Sequence, residues 1–342
     1  MIIPLFLFCV ISSLRNSVFK VLYRSGFGNY LLKKNRKEQK IPVLVFHKVM
    51  PEYDAIWPGI HPRLFEDIIL LLKKHYRILA LEDLYTKEIQ DLENACFITF
   101  DDGYKDYLDY AYPILKKHQT PSALFVLPYQ ITNKGHIWTS TIIFFVKHYS
   151  FTEIRDFFVE RGADITYTDP KNDFKLNLDI TIFLCRLTQV RRVKIINELQ
   201  EKFVADNRVI EHELLSFDEL RLLDRRYVTV ASHSLTHPSF KSETDPVFLQ
   251  TELQESKEII ERETGQNVEA FAFPFSNSNP DSIRLAKTLY KICFTDINQF
   301  VSLKKLQNEP DYKYDLPRFN VHHHTAEEVF FLINGFHQKL LR

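Results

Sequence analysis

Eight short apolar runs, each stopping at a polar, charged or turn residue, constrain this chain more than any other feature of its sequence. They occupy 42–46 before His47, 76–81, 95–100 before Asp101, Asp102 and Gly103, and 122–127 before Pro128; then 227–231 before Ser232 and His233, 269–273 before Pro274, 291–295 before Asp296, and 317–321 before His322. Continuous hydrophobic runs of this length indicate strands covered on both faces, as in parallel sheets. Helical stretches separate them. Residues 62–74 carry Leu64, Phe65, Ile68, Ile69, Leu71 and Leu72 at helical spacing. Ser216 and Glu219 form a capping-box pattern that opens a helix through Leu223, and the helix predicted at 247–264 ends before Gly265, a plausible C-terminal cap. Strands alternating with helices predict an α/β fold, either a (β/α) barrel or a doubly wound sheet.

The rhythm changes between Trp138 and Glu213. This stretch reads as a largely helical insertion into one strand-to-helix connection, too long for a mere loop. With 342 residues, 45% of them hydrophobic, the chain can bury a substantial core. Acidic and basic residues balance at 44 each, so no net field favours nucleic acid as a partner. Cys9, Cys96, Cys185 and Cys293 form no CxxC pair, which argues against a zinc ribbon or a redox motif. The first 40 residues stand apart. Residues 1–14 are strongly apolar but lack a basic n-region and an A-x-A-like cleavage site. From there Val18, Val21, Leu22, Leu31 and Leu32 recur among Arg15, Lys20, Arg24, Lys33 and Lys34. Such a basic amphipathic segment either lies on a membrane surface or covers the bottom of a barrel; a cleaved signal peptide is a third reading.

Parallel barrels react at the carboxyl ends of their strands, and this chain places His47, Asp101, Asp102, His233, Asp296 and His322 at such ends. Adjacent strand residues face opposite ways, so both Asp101 and Asp102 point inward only if the strand breaks there, which Gly103 permits. Two neighbouring carboxylates divide labour when a cation binds one and leaves the other as a base; a simple Asp-Asp-Gly turn is the bland alternative. His233 and His237, four apart, would share one face of a helical turn and grip one ion. One carboxylate and two imidazoles leave a position for water, the composition of a catalytic zinc site. The apolar strand ending in Pro274 and the run His322, His323, His324 carry weaker signals.

TFDDG at 99–103, SHSLTH at 232–237 and FAFPF at 271–275 resemble motifs one to three of the NodB-homology polysaccharide deacetylases, carbohydrate esterase family four. The flanks agree: IPVLVFHKV at 41–49 and HPRLFEDI at 61–68 look like the first strand and helix of the bacterial exopolysaccharide branch. The resemblance implies a distorted, incomplete (β/α) barrel of about seven strands spanning 41–342, with the helical insertion at about 138–213. It also implies a divalent metal, usually zinc, held by Asp102, His233 and His237, with Asp101 as general base. The oxyanion would meet the metal and the backbone N–H of Phe275, beside Pro274, and His47 is a further candidate for substrate contact. The implied activity is removal of N-acetyl groups from an amino-sugar polysaccharide or a lipid-linked saccharide.

Three departures stand out. Ala272 occupies the place of the arginine that orients the base in many members, Phe275-Ser276 replaces Tyr-Gly, and LPRFNVH at 316–322 replaces the final Leu-x-x-His pattern. Arg318 is therefore expected to take over the missing arginine's place, and His322 to act as the acid. An O-acetyl esterase and a catalytically inactive saccharide-binding homologue are the alternatives, although an intact Asp101 argues against the second. The expected location is the cytoplasm with peripheral contact at the inner membrane; export or membrane anchoring is the alternative.

Overall fold

The computed structural model describes residues 17–203, 210, 213–322 and 325–336. The apolar stretch 1–14 and the histidines His323 and His324 lie outside the described residues, as does Cys9.

The strands are β1 (Lys40–Ile41), β2 (Val43–Phe46), β3 (Arg77–Ile78), β4 (Ala95–Phe100), β5 (Ser122–Val126), β6 (Val228–Ser232), β7 (Ala270–Ala272), β8 (Ile292–Thr295), β9 (Val301–Ser302), β10 (Leu316–Pro317) and β11 (Phe319–Asn320). The main sheet runs β10-β8-β7-β6-β5-β4-β2-β11, with β3 added beside β4, and every pairing in it is parallel. Its two ends belong to one stretch of chain. β10 pairs with β8, β11 pairs with β2, and only Arg318 separates them. The Arg318 N–H donates to the Thr295 carbonyl and the Val321 N–H to the Val45 carbonyl, so 316–321 closes the sheet into a barrel with a seam at Arg318. The single strand expected at 317–321 is thus two short ones, because that residue turns between two partners.

Side-chain parity then sorts each strand into an inner and an outer face. Val43, Phe97, Ala123, Phe125, Ala231, Ala270, Ala272, Phe294 and Leu316 fill the barrel interior as one cluster. Leu44, Phe46, Ile98, Phe100, Leu124, Val126, Val230 and Phe271 face the surrounding helices. Helix Pro62–His75 packs its Phe65, Ile68, Ile69 and Leu72 onto that outer layer. The capping box at Ser216 forms as expected, with its helix at Phe217–Leu222. The helix predicted at 247–264 is continuous but underwound in the middle, where Thr251–Glu255 adopts π geometry, and it ends at Gly265 in the left-handed region at φ 64°.

The insertion is helical, as its composition predicted. Trp138–His148, Phe151–Val159, Asp173–Cys185 and Gln189–Phe203 build a separate apolar cluster around Ile142, Phe145, Ile154, Phe158, Ile180 and Leu199. Residues 17–24 and Phe27–Lys37 are helical and pack against the C-terminal stretch 330–334. Phe19 meets Phe331, Tyr23 stacks edge-on to Phe330, and Asn35 donates to Asn334 Oδ1 at 3.1 Å.

Candidate active site

Parity brings the chemistry inward. On β4 the inner positions are Phe97 and Thr99, so the next inner residue is Asp101; the same counting on the other strands delivers His47, His233 and Asp296 to the barrel mouth. Asp102 should by this rule face out with Phe100. It does not, because it takes φ 75°, and Gly103 follows at φ 75°. At Gly103 a Cβ would stand 3.0 Å from Val126 Cγ1, so only glycine combines this backbone with the packing behind it. Ser234, His237, Phe275 and Ser276 also have positive φ. Left-handed conformations are costly for such residues and concentrate where surrounding structure imposes them.

His233 and His237 are not on a helical turn. They lie on an irregular loop after β6, and the positive φ at Ser234 and His237 brings the rings together, with centroids 5.0 Å apart. Buried partners hold the loop. Glu252 accepts the N–H groups of Leu235 and Thr236, both at 2.9 Å, and also the Thr236 hydroxyl. Trp138 Nε1 donates to the His237 carbonyl at 2.8 Å, and Gln189 Nε2 to Thr236 Oγ1 at 3.2 Å. Burial pushes the Glu252 carboxyl up to about 7, despite these bonds. Replacing Glu252 by alanine strands the buried Leu235 N–H and the part-buried Thr236 N–H, so unfolding free energy is expected to fall by roughly 2 kcal/mol, measured by chemical denaturation.

The donors converge. His237 Nε2 stands 3.3 Å and His233 Nε2 3.6 Å from Asp102 Oδ1. His233 Nδ1 is bonded to the Ala272 carbonyl at 2.9 Å, which aims Nε2 into the site. Burial, and then the neighbouring positive charge of His233, Arg192 and His47, hold His237 well below the usual imidazole range, so it is neutral. Burial raises Asp102, whose Oδ1 has no hydrogen-bond partner. A buried carboxylate oxygen left alone between two imidazole nitrogens is a strong demand for a cation. The spacing suits one: ligand bonds of about 2.0–2.2 Å in tetrahedral zinc sites place neighbouring donors about 3.4 Å apart. Asp102, His233 and His237 therefore fit a divalent metal.

Asp101 is held differently. Arg318 Nη1 and Nη2 donate to its two oxygens at 2.8 and 2.6 Å, and Nε donates to Asp296 Oδ1 at 2.9 Å. The guanidinium is fully buried, bonded also to Thr99 Oγ1 and lying over the Phe125 and Phe294 rings. Burial opposes ionisation of Asp101, but the Arg318 charge and then that of His233 outweigh it and hold the carboxyl below its ordinary range. Its Oδ2 is 3.9 Å from His233 Nε2, so an ionised carboxylate adjoins the metal ligands.

The remaining candidates surround this centre. The cleft, of about 310 Å³, is lined by His47, Asp101, Asp102, His233, His237, Phe275 and Asp296, and by Trp57 and insertion residues opposite them. Pro274 is buried at the start of a 3-10 turn, and the Phe275 ring lies 4.7 Å from that of His237 and 5.3 Å from that of Trp138. His322 stands outside the lining, exposed at the rim, its ring 6.4 Å from that of His47. Crowding by protein, then the His47 charge, lowers its pKa to about 4. Asp296, which the sequence places at a strand end without a role, is the second carboxylate on Arg318. Glu252, Gln189 and the cleft-facing insertion residues carried no sequence signal, since their partners are remote in the chain.

A barrel whose mouth holds two imidazoles, one metal-competent carboxylate and a second, arginine-bound carboxylate has the layout of a metal-assisted hydrolase. The sequence profile of polysaccharide deacetylases matches residues 89–148 and 195–290, two segments that hold Asp101, Asp102, His233, His237 and Phe275. The chain carries a polysaccharide deacetylase domain over these segments. YxkH of Bacillus subtilis, a nominal polysaccharide deacetylase, is 27% identical over 113 residues, which cover 30% of this chain and 38% of that protein. The Streptococcus pyogenes deacetylase PplD, solved in complex with acetate, shares the fold at TM-score 0.56 and 17% identity, covering 86% of this chain and 98% of that one. A de-N-acetylase from Aggregatibacter actinomycetemcomitans does so at TM-score 0.53 and 14% identity, covering 85% and 99%.

Proposed function

We propose that the protein is a metal-dependent hydrolase that removes N-acetyl groups from an amino-sugar polysaccharide or lipid-linked saccharide. The observation that carries this is the pairing of an orphaned Asp102 oxygen between two imidazoles with an ionised, arginine-held Asp101 beside them. A divalent cation held by Asp102, His233 and His237, for which zinc suits the donor set best, would supply Lewis-acid polarisation of the acetyl carbonyl and lower the pKa of the attacking water. Asp101 accepts the proton of that attacking water. The Phe275 backbone N–H donates to the carbonyl oxygen as it gains charge. Arg318 keeps Asp101 ionised and correctly oriented.

The leaving nitrogen must take up a proton, and the two stacked imidazoles are the available donors. His322, the acid expected from the sequence, is neutral near pH 7 and must acquire its proton during turnover. His47 lines the cleft, with a ring nitrogen within 4.8 Å of carboxylate oxygens of Asp101 and Asp296, and can relay it. The exposed Val18, Val21 and Tyr30, among the N-terminal lysines and arginines, favour a peripheral membrane contact and thus a membrane-proximal substrate at the cytoplasmic face. Among the described residues no helix is long and apolar enough to cross a membrane.

The test is acetate release by purified, zinc-loaded protein from N-acetylglucosamine oligomers and, in parallel, from an O-acetylated oligosaccharide. Release from the first supports the proposal. Release only from the second makes the protein an O-acetyl esterase, and metal binding with no release from either makes it a saccharide-binding homologue.

A further inference from the structure

Native proteins leave few buried side-chain polar atoms without a partner, and each exception calls for an explanation. Among the described residues seven such atoms occur, and five of them belong to residues lining the one cleft: His47 Nδ1, Asp102 Oδ1, Asn177 Oδ1, His237 Nδ1 and Asn320 Oδ1. A bound cation accounts for the Asp102 oxygen. It does not account for Asn177, which comes from the insertion helix Asp173–Cys185 and lies outside the two segments that match the family profile.

Asn177 is only 6% exposed, on the face of its helix that carries Leu176, Ile180 and Leu184 into the insertion's apolar core. A leucine there would fit that surface better than a carboxamide. Thr181, one turn on, lines the same cleft, as does Thr139 of the neighbouring helix Trp138–His148, while Ile143 and Trp57 give the wall apolar surface. Apolar and aromatic area with a few convergent hydrogen-bonding groups is the chemistry that receives a sugar ring. The cleft, about 310 Å³, lies at the small end of ligand pockets, which begin at about 300 Å³.

We infer that Asn177 is a specificity-determining residue: its carboxamide oxygen accepts a hydrogen bond from a hydroxyl of the saccharide residue being deacetylated, so that the insertion, and not the barrel, chooses the sugar. The inference rests on the deacetylase reading above. Before substrate arrives the residue weakens the fold, because its oxygen is buried and unbonded; with substrate bound, that oxygen is satisfied.

The experiment compares the full-length, zinc-loaded protein with its Asn177→Leu and Asn177→Ala variants on two substrates, N-acetylglucosamine oligomers and p-nitrophenyl acetate, which has no sugar. The ratio of kcat/KM on the oligomer to that on the ester is expected to fall about 10-fold, mostly through KM, as for loss of one buried hydrogen bond to substrate. Asn177→Leu is also expected to melt at the same temperature as wild type or higher, the opposite of a structural role. A ratio that stays at the wild-type value overturns the inference while leaving the deacetylase reading intact. Wild-type protein that releases acetate from neither substrate overturns the reading, and the inference with it.

Discussion

Replacing Arg318 by alanine is expected to cut kcat/KM for acetate release at least 100-fold and to lower stability by about 3–5 kcal/mol, the usual cost of removing one partner from a buried ion pair. The size follows from what is left behind. Arg318 has no solvent exposure and is the shared counter-charge of Asp101 and Asp296. Without it, both carboxylates stay buried and each is pushed towards its protonated form, so the base is lost by protonation as well as by misorientation. Because the folded-state pKa of Asp101 is depressed, its stabilising contribution is present above the ordinary carboxylate range and disappears as pH falls through the folded value. The variant should therefore show its acid limb of kcat/KM at higher pH than wild type, and a flatter stability profile on acidification. Arg318→Lys keeps the charge but cannot span two oxygens of one carboxylate while reaching another, and should recover only part of the rate. Unchanged kcat/KM in Arg318→Ala would remove the residue from any part in catalysis.

Metal removal is the second large effect. Chelation followed by desalting is expected to abolish acetate release and to lower the melting temperature, with both restored by zinc. Binding to the folded state alone adds stability of about 2.7 kcal/mol when free metal is 100 times its dissociation constant. The ligands set the pH dependence. His237 is already neutral, whereas burial raises Asp102, so affinity should strengthen as pH rises through the Asp102 titration and protons should be released on binding. Asp102→Asn, His233→Ala and His237→Ala should each lose the zinc-dependent rise in melting temperature, a readout independent of turnover. Metal-free protein that keeps full activity would refute the assignment.

The sequence by itself determined where most strands of the barrel lie, that they run parallel, and which end of them is reactive. Apolar runs ending at polar residues suffice for that, because burial on both faces dictates composition locally and strand parity dictates which of Asp101, His233 and Asp296 faces in. The capping box at Ser216 and the cap at Gly265 were legible for the same reason: their partners lie within four residues. Only the tertiary structure decided how the ligands meet. Asp102 turns inward through a positive φ of its own, and the histidine pair converges on an irregular loop instead of the expected helical turn, held there by Glu252, Trp138 and Gln189 from distant segments. It also decided that Arg318, at the seam where the last strand changes partners, serves two carboxylates at once, and that Asn177 faces the cleft. Such contacts depend on how elements far apart in the chain pack, and no local pattern of residue types encodes them.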